Sequence, residues 1–269
     1  RGLGFNRVVV VENNIKHEAQ QWGSDHGLEI DQYAVDNVEV IKGPASLMYG
    51  SDAIGGVIDM KNRKIPAENL FGGTIDLTGK TNNDFWGTSV SLYGRKKWFF
   101  ADFRATILDY GDYKVPTDSV DIYSYRAALY KNHMRNTAGY EKNLHLTFGV
   151  VQNGFQSKFN VSSVNSKSGF FANAHGLEPR NVDTGLHDSS SRDINYPYQK
   201  VNHFKVINTT HYQWEKSKLE FSLGFQRNFR QEWSRYVQHG FMPAVFTDSL
   251  DFDSDRSEER RVGKECATG

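Results

Sequence analysis

From about residue 70 onward, apolar and polar side chains alternate with a period of two. The clearest run is 98–110, where Phe99, Ala101, Phe103, Ala105 and Ile107 alternate with Phe100, Asp102, Arg104 and Thr106. Ile75 and Leu77 share one face of 71–80, and Trp86, Thr88, Val90 and Leu92 share one face of 85–94. Leu144, Leu146, Phe148 and Val150 alternate with His145, Thr147 and Gly149, and Leu219, Phe221, Leu223 and Phe225 alternate with Glu220, Ser222, Gly224 and Gln226. Stretches 155–169 and 199–213 are more mixed. Successive residues of a strand point to opposite faces, so the pattern predicts seven strands, at 71–80, 85–94, 98–110, 136–151, 155–169, 199–213 and 218–234. Each has about the length needed to cross a bilayer at a tilt. The connections at 95–97, 152–154 and 214–217 are short, whereas 111–134, 169–198 and 235 onward are long. The long ones follow the third, fifth and seventh strands, so all lie at one end. Membrane barrels are built in this way, with short turns on one side and long loops on the other. A soluble β-sandwich also alternates and stands as the alternative.

The first 65 residues follow another pattern. Val8, Val9, Val10 and Val11 form an unbroken apolar run, as in a strand buried on both faces. Asn13 and Asn14 mark a turn into a return strand at 15–18, 20–28 is irregular and polar, and 30–35 is expected to form a short helix. There follows Val38-Glu39-Val40-Ile41-Lys42-Gly43-Pro44-Ala45-Ser46-Leu47-Met48-Tyr49-Gly50-Ser51-Asp52-Ala53-Ile54-Gly55-Gly56-Val57-Ile58-Asp59-Met60. This reads as a strand, a turn, one or two helical turns, a breaker and a second strand. Pro44 suits the first helical position, Gly50 the position after a helix end, and Gly55 and Gly56 a close backbone approach.

That string, with Gly43, Pro44, Tyr49, Gly50, Gly55 and Gly56 in place, closely resembles the end of the plug domain of TonB-dependent outer-membrane receptors. The resemblance implies a mainly β protein: a small α+β plug seated inside a transmembrane antiparallel β-barrel in the outer membrane of a Gram-negative bacterium. It divides the chain into the C-terminal part of a plug (1–65), the first strands and loops of a barrel (70–255) and a tail (256–269) that departs from the pattern and is set apart as a candidate non-native segment. Seven strands cannot close the 22-stranded barrel of a plugged transporter. A receptor of this kind also carries a signal peptide and a TonB-contacting segment, so the chain reads as an internal portion of a longer protein. The implied work is active uptake of a metal or metal chelate (an iron siderophore, haem or zinc), driven by the TonB energy-coupling complex and performed by a monomer. Import of an oligosaccharide or cobalamin is the rival on the same scaffold.

Composition agrees with that outline. The 269 residues hold 32 Lys+Arg against 32 Asp+Glu, which offers nothing to nucleic acid. Aromatics reach 13% while mean hydropathy is only −0.62. This mix suits strands with one lipid-facing and one polar face. The single cysteine, Cys266, excludes a disulfide framework. No motif of a hydrolase, metalloprotease or nucleotide-binding enzyme is present, and no cofactor is called for beyond a transported zinc or iron chelate.

Candidate chemistry lies in the polar stretches. The adjacent Asp25 and His26 offer a carboxylate and an imidazole, a donor pair that suits Zn²⁺. Their setting in 24–31 resembles the plug loop of zinc-uptake receptors in this family. His175 and His187, in the long loop after the fifth strand, are expected as capture residues. Trp22, Phe170, Phe171, Tyr196 and Tyr198 are the aromatic candidates for contact with a chelate.

Overall fold

The computed structural model describes residues 7–18, 28–122, 125–171, 190–195, 197–234, 256–263 and 266–267. Two sheets meet in it. The first contains Val9–Glu12 (β1), Ile15–Lys16 (β2), Val35–Ile41 (β3) and Val57–Asn62 (β4), in the order β2-β1-β4-β3. β1 runs parallel to β4 and antiparallel to β2. The three described valines of β1 are buried, as the unbroken run required. Between β3 and β4 the chain makes two 3-10 segments, Gly43–Tyr49 and Ser51–Gly55, the first opened by Pro44. They tuck Ala53 against Val9, Val11 and Val57 to form a small core with Ile41 at its side. The buried Ser46 hydroxyl ties the two together, donating to the carbonyl oxygens of Gly43 and Ala53, each at 2.8 Å.

The helix expected over 30–35 does not form. The Asp31 carboxylate accepts the Tyr33 N–H at 3.0 Å, and the Ala34 N–H reaches the Asp31 carbonyl at 3.0 Å. Aspartate closing a turn on its own backbone competes with a helix, and Val35 already enters β3.

The second sheet is an up-and-down meander. It comprises Phe71–Lys80 (β5), Phe85–Lys96 (β6), Phe99–Tyr110 (β7), Gly139–Gln152 (β10), Phe155–Gly169 (β11), Tyr198–Gln213 (β12) and Lys218–Ser234 (β13). These are the seven expected strands, with ends shifted by at most three residues. Ser119–Ile122 (β8) and Tyr125–Ala128 (β9) form a hairpin inside the long connection between β7 and β10. Beyond the seven, Arg256–Gly263 (β14) and Cys266–Ala267 (β15) pair antiparallel with β13. Those residues carry no alternation, and the period-two pattern gave no sign of them.

The large sheet has its polarity reversed relative to a soluble protein. On β7 the outward Phe103 and Ile107 are 42% and 47% exposed, whereas the inward Arg104 and Thr106 are 7% and 1% exposed. The same inversion holds for outward Leu144, Leu219, Phe221 and Phe225 against buried Asn143, His145, Gln226 and Asn228. A soluble sandwich buries the apolar face. A membrane barrel turns it outward and keeps a polar lumen, and here the first sheet fills the polar side.

Candidate functional site

The place where chemistry concentrates is the contact between the small sheet, or plug, and the polar face of the large sheet, or wall. Four buried charges meet there. Lys205, on β12, donates to the carboxylate of Glu12, the last residue of β1. Arg230, on β13, donates both to Glu29 of the plug and to Gln199 of β12. His17 stands between the two pairs. Its Nδ1 accepts from Lys205 Nζ at 3.0 Å, and its Nε2 faces Glu29 Oε2 at 3.2 Å. An ammonium donor on one ring nitrogen and a carboxylate on the other assign the tautomer: neutral imidazole with the proton on Nε2. The His203 ring lies 4.8 Å from that of His17, and its Nδ1 accepts from Asn228 Nδ2 at 2.9 Å.

The electrostatics on the plug side agree with this arrangement. Burial pushes the Glu12 carboxyl up, but the Lys205 ammonium beside it outweighs that and holds it at about 2. Burial likewise raises Glu29, yet His17 and Arg230 bring it below its ordinary value. For His17, burial and Lys205 both disfavour the imidazolium and together outweigh the two nearby carboxylates, so its pKa is lowered. At neutral pH the cluster therefore holds two carboxylates, two cations and a neutral imidazole.

A second set of contacts anchors the other flank. Asn62 bonds to both Asn13 and His145, and Asp31 accepts from Thr106 Oγ1 at 2.7 Å. Arg104 spans Ser89 at 2.8 Å and Asp76 at 3.1 Å. Between these anchors lies a polar cleft of about 310 Å³, lined by Tyr33, Asn62 and Arg63 of the plug side and Asp76, Asp102 and Arg104 of the wall. At one place the wall gives way to the plug: a Cβ on Gly224 would meet Ile15 at 2.8 Å, so glycine there admits the plug strand.

Of the site residues expected from sequence, the glycine-rich segment is placed most clearly. Gly43, Gly50 and Gly56 all adopt positive φ, at 76°, 101° and 125°, and Tyr49 and Gly55 close the two 3-10 segments. Phe170 and Phe171 are half-buried at the long-loop end of β11. There the Phe170 N–H reaches the Pro197 carbonyl at 3.0 Å, and Asn136 Nδ2 donates to the carbonyls of both. Tyr198 does not face the plug: it lies on the outward side of β12, stacked on Trp233 at 6.0 Å. Asp25, His26, Trp22, His175, His187 and Tyr196 lie outside the described residues. Among the described residues no cluster of three or more His, Cys, Asp or Glu could hold a metal ion.

The residues that latch the plug to the wall, Glu12, His17, Glu29, His203, Lys205 and Arg230, escaped the sequence reading. For His203, Lys205 and Arg230 the one signal was parity, ionisable residues on the face of a strand opposite its aromatic residues, whereas His17 and Glu29 lie outside the strands and carried no such signal.

Comparison with known proteins gives a consistent picture. The family model for the TonB-dependent Receptor Plug Domain matches residues 1–57. Over 68 residues the chain is 41% identical to the vitamin B12 transporter BtuB of Vibrio vulnificus (strain YJ016), a match covering 25% of this chain and 11% of that protein. Over 100 residues it is 30% identical to the hemin receptor of Yersinia enterocolitica, covering 35% and 14%. The matches thus span little more than a tenth of these relatives' length. Among solved structures, the siderophore receptor PirA from Acinetobacter baumannii aligns with 96% of this chain and 36% of its own, at a TM-score of 0.65 and 14% identity. At that identity the likeness speaks for the fold.

Proposed function

From a chain that is a TonB-dependent receptor in its plug and in the strands of an outer-membrane barrel, we infer active uptake of an organic metal chelate of the siderophore, haem or cobalamin class. The observation that carries this reading is the plug itself, docked by buried polar contacts onto the inner face of an inside-out wall. A permanent closure would be better served by apolar packing, because a buried ion pair is often no more stable than a hydrophobic replacement. Polar contacts can exchange with water when the plug is pulled, so the arrangement suits a seal that must open and reseat. An inner-membrane energy-coupling complex supplies the pull, and the polar cleft beside Arg63 and Arg104 offers a route along the wall.

The names of the relatives support a chelate: one is a vitamin B12 transporter and another a hemin receptor. Bare zinc, held by Asp25 and His26, is the competing ligand. Calorimetry on the full-length receptor decides between them, using a ferric siderophore, haemin, cobalamin and Zn²⁺ as titrants. Binding of one organic chelate, unchanged in His26→Ala, is the expected outcome. Tight binding of Zn²⁺ alone, lost in His26→Ala because neutral imidazole is the ligand, overturns the chelate reading.

A further inference from the structure

The long connections of the wall are pinched at their necks. Asn136, just before β10, is 6% exposed and lies in the left-handed region at φ 62°. Its Nδ2 donates to the Phe170 carbonyl at 3.0 Å and to the Pro197 carbonyl at 2.8 Å, and its Oδ1 accepts the Asn195 N–H at 2.8 Å. Phe170 stands where the chain leaves β11, and Asn195 and Pro197 stand where it returns to β12. One side chain thus clamps both ends of the β11–β12 connection. Asp112, just after β7 and 5% exposed, does the same for the β7–β10 connection. Its Oδ1 accepts the N–H groups of Thr137 at 2.7 Å and Ala138 at 3.0 Å. Its own N–H reaches the Ser191 carbonyl at 2.7 Å, which joins the two necks.

Connecting segments ordinarily run over the surface and are mobile. These necks are instead buried, and their polar groups are satisfied, an arrangement that fixes a single geometry. An amide suits the node. Asparagine tolerates the left-handed region and offers two donors and an acceptor, whereas aspartate has no donor. What the node fixes is the backbone of Phe170, held through its carbonyl by Asn136 and through its N–H by Pro197 at 3.0 Å. Gly169 is pressed so close beneath it that a Cβ would lie 2.5 Å from the Asn136 carbonyl oxygen. Phe170 and Phe171 therefore stand half-buried on a fixed backbone at the long-loop end of the wall.

We propose that Asn136 is a positioning residue for ligand capture. With Asp112 it holds Phe170 and Phe171 as a preformed contact for the apolar part of an organic chelate at the outer mouth. Aromatic rings present a large contact area, and a contact ordered before the ligand arrives spares binding the cost of ordering it. Asn136 acts through the Phe170 backbone and not on the ligand. The proposal rests on the chelate reading above. A contact made on capture, before the plug is pulled, affects KM and leaves the maximal rate unchanged.

The test is uptake by cells carrying the full-length receptor, supplied in turn with a ferric siderophore, haemin and cobalamin. Asn136→Asp keeps the size, the tolerance of the left-handed region and the acceptor for Asn195, and loses both donors. For the chelate that wild type imports, it should raise KM about tenfold, at roughly threefold for each lost hydrogen bond, with the maximal rate unchanged. Hydrogen exchange in the purified receptor should quicken about tenfold at the Phe170 amide and stay as in wild type at Phe148, in the middle of β10. Thr117→Ala, in the β7–β10 connection away from the node, should match wild type in both measurements. If Asn136→Asp gives no heat-shifted barrel band on a gel, Phe170→Ala decides, with the same rise in KM expected. Wild-type KM in Asn136→Asp, a maximal rate that falls while KM stays constant, or wild-type uptake by Phe170→Ala would each overturn the assignment. Import of none of the three chelates by wild type would instead overturn the chelate reading, and the assignment with it.

Discussion

Gly56 and Gly50 separate two reasons for a glycine. Both sit at positive φ, where an L side chain is strained by about 1–3 kcal/mol. Only Gly56 is also crowded: a Cβ there would lie 2.9 Å from the Ile41 carbonyl oxygen, whereas none would meet anything within 4 Å at Gly50. Gly56→Val should therefore abolish uptake and leave the plug open to protease, while Gly50→Ala should keep part of its transport. Uptake assays beside limited proteolysis check this, and normal transport by Gly56→Val counts against the close approach. The buried pair of Glu12 and Lys205 makes a second residue-level prediction. Removing one partner leaves an uncompensated buried charge, which costs about 3–5 kcal/mol. Lys205→Met should loosen the plug by that order, and Glu12→Gln/Lys205→Met should recover most of the loss. A double variant as unstable as the single, measured by denaturant titration of the receptor, would show that the charges do not act as a pair.

At the scale of elements, the wall strands are defined by which face meets lipid. Phe103 points outward from β7 and Asp102 points inward, where it lies 3.5 Å from Arg63. Phe103→Arg should cost about 2–4 kcal/mol near the membrane midplane and reduce assembled, heat-shifted receptor. Asp102→Leu should slacken the plug contact yet leave assembly intact. Equal assembly of both variants would reverse the face assignment. These strands were legible in the sequence because a wall between lipid and a polar lumen imposes the period of two at nearly every residue. Where that constraint lapses, so did the reading. The stretch 30–35 forms a turn because the Asp31 carboxylate captures the backbone, a competition that apolar spacing does not reveal. The strand Arg256–Gly263 pairs through its backbone with β13 and shows no apolar face. The buried latch unites Glu12 with Lys205, 193 positions apart, and a polar residue on the inner face looks the same in sequence whether it meets the plug or open lumen.

For the whole molecule, the consequence is a plug whose seating depends on pH. His17 faces Lys205, Glu29, Glu12 and the His203 ring, and it is neutral because burial and Lys205 disfavour its charged form. Its folded pKa lies below the unfolded value of about 6.5. As pH falls through that value, the unseated plug takes up the proton first, so stability decreases with falling pH. The contribution is therefore complete above about pH 6.5 and is lost progressively below it. Glu12 and Glu29 act in a more acidic window, because their lowered pKa values keep them charged until pH falls below the ordinary carboxylate range. From about pH 6.5 downward, uptake of a proton by His17 in the unseated plug is thus what first weakens the plug side of the latch. Protonation would also take the acceptor on Nδ1 away from Lys205 and set two cations side by side. The full-length receptor should show a plug that becomes more accessible to protease on going from about pH 7.5 to 5.5, reversibly and without loss of the heat-shifted barrel band. His17→Gln keeps an acceptor and a donor without a titrating ring, and its protease sensitivity should stay flat over the same range. A wild-type plug equally protected at both pH values would assign the latch no role in how firmly the plug sits, and a His17→Gln variant that loosens in parallel with wild type would assign the pH dependence to a group other than His17.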